Sequence, residues 1–185
     1  MELKYKLLDH PFYKAWSDGT VTEMQLSKYA YSYQALVEEI PDLWAKVINS
    51  FAPDSKAAAA IISEETSHVT LWELWTNKLT KPELIPEMNQ MISELHEMNP
   101  SQLLGAIQAF EIQQPEVSKS KSDGLKKYYK FSNDNLKYFF EHENEHSHIE
   151  YGQQLAATLA DSDDYKFGFE RGSELFYKNL DIFVN

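Results

Sequence analysis

The hydrophobic and polar positions of this chain show no convincing period-two alternation, and no Asn-Gly or Asp-Gly turn joins two alternating segments. The pattern therefore predicts helices joined by short loops. After a short N-terminal segment, Asp18-Gly19 breaks the chain. Thr22 stands three residues before Gln25, a capping-box spacing that opens a helix to about Asn49, with Pro41 expected to kink it. Asp54 is placed to cap a second helix, Ser55 to about Leu79, which opens on the run Ala57 to Ala60. Pro82 suits the first turn of a third helix ending near Met98. Pro100 does the same for a fourth, which carries Glu111 and meets a second kink at Pro115. Gly124 allows a break before Tyr128. Ser132-Asn133-Asp134 supplies caps for a fifth long helix to about Leu159, and Asp161 to Asp164 form a polar joint before a last helix ending near Ile182. No repeat, low-complexity tract or linker divides the pattern, so residues 1–185 are expected to form a single all-α domain, one helical bundle.

Composition narrows what such a bundle does. A chain of 185 residues supports one substantial core rather than two. Cysteine is absent, which removes disulfides, thiolate metal sites and cysteine nucleophiles together and fits a reducing compartment. The opening MELKYKLLDHPFYKAW lacks the apolar stretch of a signal peptide, and no run approaches membrane-spanning length. A cytoplasmic protein without a membrane partner is the expectation. The net charge of −12, with 17 basic against 29 acidic residues, argues against nucleic acid, because phosphate binding relies on clustered Lys and Arg. The densest basic stretch, Lys119, Lys121, Lys126 and Lys127, is modest. Aromatic residues reach 14%, eleven of them tyrosine, and read first as packing.

Candidate chemistry lies in two acidic stretches that hold four of the six histidines. In Ser63-Glu64-Glu65-Thr66-Ser67-His68, a helix turning about 100° per residue puts Glu64 and His68 on one face, with Glu65 also within reach of His68. In Glu141-His142-Glu143-Asn144-Glu145-His146-Ser147-His148, Glu145 and His148 form the Glu-x-x-His pair used by carboxylate-bridged dinuclear sites in helical bundles. Between the two stretches lies Glu111, flanked mainly by apolar residues and so expected to face inward. Either stretch alone is more often a solvated helix face. Together they suggest carboxylates converging in a core, where mutual repulsion and lost hydration call for a cation. Mixed oxygen and imidazole donors suit iron, manganese or zinc better than calcium. His10, directly before Pro11, reads as a turn residue rather than a heme ligand.

The segment His10-Pro11-Phe12-Tyr13-x-x-Trp16-x-x-Gly19, followed by Gln25-Leu26-x-x-Tyr29-Ala30-x-x-Tyr33, resembles the TenA/PqqC branch of the heme-oxygenase-like superfamily. Later segments resemble the CADD-like proteins, a family named for a chlamydial protein associating with death domains. These are Glu64-Glu65 with His68 and Leu71-Trp72, Phe110-Glu111-x-Gln113-x-Pro115, Gly124-Leu125 with Phe131-Ser132-Asn133, and Tyr138-Phe139-x-Glu141-His142-Glu143. The resemblance covers nearly the whole chain in order. It implies a bundle of seven to eight helices around two divalent metals, iron or iron with manganese, that use dioxygen. It also implies synthesis of 4-aminobenzoate for folate, with the carbon skeleton taken from one of the protein's own tyrosines. By position, Glu64, His68, Glu111 and His142 fall on metal ligands, Tyr13 on the consumed tyrosine, Tyr29 and Tyr33 on neighbouring tyrosines, and Lys121 on an amino donor. Dimers are common among such relatives, so a homodimer is implied as well.

Two departures from the family pattern stand out. The first metal helix spaces its Glu and His four apart instead of seven. The last should read His-x-x-x-Asp-x-x-His, and a strict count from His142 lands on His146 and Ile149. Deleting one residue gives His142, Glu145 and His148, spread over about 120° of a continuous helix; Glu141, Glu145 and His148 span only about 60°. Two other readings keep the fold: a cysteine-lacking TenA-like aminopyrimidine hydrolase of thiamin salvage, and a non-catalytic interaction module.

Overall fold

The computed structural model describes every residue except Pro53, Asp54, Glu145, Leu159 and Asn185. Among the described residues it holds nine α-helices and no strand: α1 (Pro11–Asp18), α2 (Glu23–Phe51), α3 (Lys56–Thr76), α4 (Asn89–Glu97), α5 (Pro100–Glu111), α6 (Gln114–Tyr129), α7 (Lys137–Asn144), α8 (Ser147–Thr158) and α9 (Ser162–Asn179). Short 3-10 turns precede α1 (Leu7–Asp9), precede α7 (Asn133–Asn135) and follow α9 (Leu180–Phe183). No helix of the described residues is long and apolar enough to cross a membrane.

Local chemistry accounts for most boundaries. The capping box at Thr22 forms as its spacing predicts: the Gln25 amide donates to the Thr22 hydroxyl and the Thr22 amide to Gln25 Oε1. Asn99 and Gln102 make a second box ahead of Pro100. Gly19 ends α1 at φ 72, a left-handed conformation that glycine adopts without a Cβ penalty. Asp161 caps α9 through the amides of Asp163 and Asp164. Ser55 caps α3, and the expected cap Asp54 lies outside the described residues. Pro41 lies within α2 without ending it.

Three expectations are corrected. Pro82 does not open a helix; α4 begins only at Asn89. A helix from Pro82 would place Pro86 in its interior, where the ring clashes with the carbonyl four residues back. Gly124 does not break α6. It lies under Trp16, where a Cβ would come within 2.7 Å of the indole, so glycine serves close approach there. The fifth long helix is two, with α7 ending at Asn144 and α8 starting at Ser147, while Ser132 precedes the 3-10 turn that holds Asn133 and Asp134.

The bundle is organised around α5. Every residue from Leu103 to Glu111 is buried, as expected for a helix apolar on all sides. It packs against α9 most extensively and also touches α2, α8, α4 and α6; α2 lies along α3, and α6 along α7. The α5–α9 contact is backbone on backbone: a Cβ at Gly168 would collide with the Gln102 carbonyl, and one at Gly105 with the Tyr165 carbonyl. Gly168→Ala should therefore force the helices apart and cost about 1–3 kcal/mol, read as a lower urea midpoint; an unchanged midpoint would show that the crossing yields without strain.

Candidate metal centre

Beside Thr76 at its end, the buried residues of α3 form one stripe of Ala58, Ile61, Glu65, His68, Trp72 and Trp75. Their spacing alternates three and four, the stripe of a helix packed along its length. Glu65 falls on that stripe and Glu64 does not. The inward position expected for Glu64 thus belongs to Glu65, 4% exposed, while the Glu64 side chain keeps 49% of its surface in water. Helical phase held this information, because Ile61, His68 and Trp72 already define the face.

Glu65 is shared between two histidines. Its Oε2 lies 3.0 Å from Nδ1 of His68 and its Oε1 lies 3.0 Å from Nδ1 of His148. Two triads of donor atoms, each within 4.8 Å of one another, share this residue: Glu65, His68 and His142, and Glu65, Glu111 and His148. All five side chains are buried. His146 and Glu141 face solvent, so the α7 contribution is His142. Glu145 lies outside the described residues. The separation of α7 from α8 explains why both His142 and His148 point inward: six residues apart on one continuous helix, they would diverge by about 120°.

Neighbouring groups hold the donors in place. Burial, reinforced by the adjacent His68 ring, lowers the His142 pKa to about 4. Its neutral ring donates Nδ1–H to the Tyr138 carbonyl at 2.8 Å, which presents Nε2 as the ligand atom. Trp44 donates its indole N–H to Glu111 Oε1 at 3.4 Å. Burial alone would raise the Glu65 pKa, but the imidazoles of His148 and His68 at its two oxygens outweigh it and keep the carboxyl below the ordinary range. His148 also has Nε2 3.1 Å from Glu64 Oε2, so carboxylate oxygens face both ring nitrogens. Two acids around one imidazole concentrate negative charge there, which a bound cation would offset. Two buried carboxylates and three imidazoles, arranged as triads about one shared acid, fit a pair of transition-metal ions and leave coordination positions open.

A second cluster adjoins the first. The Tyr13 and Tyr29 hydroxyls are 2.9 Å apart, and Lys121 Nζ donates to Tyr29 at 2.7 Å. The same ammonium lies 4.8 Å from the Tyr13 ring centre and 5.2 Å from that of Tyr33. Tyr13, Tyr29 and Lys121, expected from the sequence, thus meet in space. Tyr33 and Tyr138 connect the two clusters. Tyr33 stacks on Tyr29 at 4.9 Å and on Trp72 at 5.4 Å, and Tyr138 lies 4.2 Å from the His142 ring and 4.8 Å from Trp72. Burial raises the pKa of all four tyrosines, and the Glu111 carboxylate pushes Tyr33 and Tyr138 further up. Tyr138 carried no signal beyond its place in a motif. His10 is structural, accepting from the Phe12 amide and facing Asp181 at 3.1 Å.

With this geometry, the relationships of the chain are informative. Residues 27–177 match the family described as iron-containing redox enzyme. The chain belongs to that family. Like other similar proteins, the 4-aminobenzoate synthase of Nitrosomonas europaea is 27% identical, the match covering 95% of this chain and 84% of the relative. The 4-aminobenzoate synthase of Chlamydia muridarum is also 27% identical, over 96% and 84%. A TenA homologue from Pseudomonas syringae superposes with a TM-score of 0.73 at 12% identity, covering 96% of this chain and 86% of that one. A heme-oxygenase-like domain from Shewanella denitrificans gives 0.73 at 16%, covering 96% and 84%. The fold of this iron-containing redox enzyme is accordingly heme-oxygenase-like.

Burial lowers the Lys121 pKa from 10.5 to about 7. Between those values the unfolded chain binds the extra proton, so wild-type stability rises with pH. Lys121→Met should melt higher than the wild type below pH 7, with the gap narrowing toward pH 10.5; a gap constant across that range would show that Lys121 keeps an ordinary pKa.

Proposed function

We propose that this protein is a dinuclear oxygenase of the 4-aminobenzoate synthase type, serving folate synthesis. Glu65, His68, Glu111, His142 and His148 would hold two divalent metals, iron or iron with manganese. When bound, the metals supply redox chemistry with dioxygen as co-substrate. The observation that carries the reading is the shared Glu65 carboxylate, facing one histidine of each triad in a centre that Tyr33, Trp72 and Tyr138 join to a buried tyrosine–lysine cluster.

In this reading Tyr13 provides the carbon skeleton. Its hydroxyl is held by Tyr29, and its ring is wedged among Phe12, Trp16 and Tyr29, with Phe183 of the last 3-10 turn closing over Phe12 and Tyr29. Such packing fixes the ring and excludes water that would intercept reactive species. Lys121 provides nitrogen, and an amine does so only when neutral. Burial supports this, because it removes the stabilisation that water gives the ammonium. Trp44 and the Tyr138 carbonyl keep Glu111 and His142 oriented.

The decisive measurement is single-turnover 4-aminobenzoate formation by protein loaded with iron and manganese and supplied with dioxygen and reductant. Tyr13→Phe should form none; product retained at the wild-type level would remove Tyr13 as the source of the carbon. In the wild type, product formation should rise with pH through about 7 as Lys121 loses its proton. Lys121→Arg, charged throughout, should be inactive across the same range, and an active Lys121→Arg would remove the lysine as donor.

A further inference from the structure

The donor residues of the centre are each no more than 4% exposed, so cations have to reach a site that water barely touches. Of the described carboxylates brought to these histidines, Glu64 alone reaches solvent. Its side chain is 49% exposed, yet its Oε2 lies 3.1 Å from Nε2 of the wholly buried His148. The next residue, Glu65, has its Oε1 3.0 Å from the other nitrogen of the same ring. The contact joins α3 to the first turn of α8, beside the joint where α7 ends and where His146 and Ser147 are exposed. One side chain therefore reaches from bulk water to the inner donors.

We propose that Glu64 is the entry carboxylate of the centre. It captures a hydrated divalent cation at the surface, lets go of His148, and passes the ion to His148 and Glu65 as waters are shed. The inference rests on the reading that the buried residues hold two metals. It differs from assigning Glu64 as a permanent ligand in a way that kinetics resolve. A residue that only ferries ions changes the rates of entry and exit by the same factor and leaves occupancy intact. A ligand changes occupancy or affinity.

The test is anaerobic cobalt(II) uptake by the full-length metal-free protein, followed by stopped-flow absorbance, with release measured into excess EDTA. Glu64→Gln keeps the shape and the oxygen facing His148 but removes the charge. Uptake and release should both slow about tenfold, as expected for losing one charge at contact distance, with two ions per chain still bound at equilibrium. Glu150→Gln, which removes an exposed charge from the first turn of α8, should leave both rates unchanged. Wild-type rates in Glu64→Gln overturn the proposal, as does equal slowing in Glu150→Gln, which would assign the effect to the general acidic field. Binding of one ion instead of two by Glu64→Gln overturns it in favour of a permanent ligand. A wild-type protein that takes up no cobalt overturns the metal centre itself.

Discussion

A carboxylate almost wholly removed from water has to be held by opposite charge or by donors, and the rest of this structure is arranged around that need at Glu65. Burial opposes its ionisation; His68 and His148, one on each oxygen, restore it. Meeting both histidines requires α3 to run with its three-and-four stripe facing inward and requires α8 to begin where it does. It also requires α7 to stop at Asn144, so that His142 and His148 converge instead of diverging around one helix. The wholly buried α5 then delivers Glu111 at its C-terminal end, where Trp44 meets it. A buried half-satisfied polar network is worse than an apolar core, and the convergence of acids with imidazoles on this scale makes sense as a cation site.

Beside this charged cluster the protein places groups that burial drives toward neutrality. Tyrosine pKa values move up and that of Lys121 moves down, both because a dry environment penalises ions. The two clusters thus differ in the charge state that their surroundings favour. One keeps charge, balanced between acids and imidazoles. The other keeps neutral hydroxyls, an amine held near neutrality, and aromatic rings within contact of one another. Membership in the iron-containing redox enzymes agrees with this division, since oxidants are useful only where water and stray side chains are kept away.

Local signals in the sequence were reliable where a short-range interaction decides the outcome. The Thr22–Gln25 box, Pro100 behind Asn99, the Gly19 stop and the Asp161 cap all depend on residues within one turn of each other. Reading failed where a distant partner decides. Gly124 suggests a break until Trp16, far back in the chain, is laid upon it. The 141, 142 and 146 alternatives share this character: any one suits a regular helix, and the interruption before Ser147 selects His142.

By itself the sequence determined that the fold is all-helical, that it carries no cysteine, and which acids, histidines, tyrosines and lysine are eligible for a site. These follow from composition, caps and periodicity, which act over a few residues. Tertiary structure alone decided that Glu65 serves both triads, that His142 turns inward, that Lys121 reaches the tyrosines, and that Glu64 is left at the rim. Each of these depends on how far a side chain is withdrawn from water and on what opposes it across the bundle, and neither quantity exists until the helices pack.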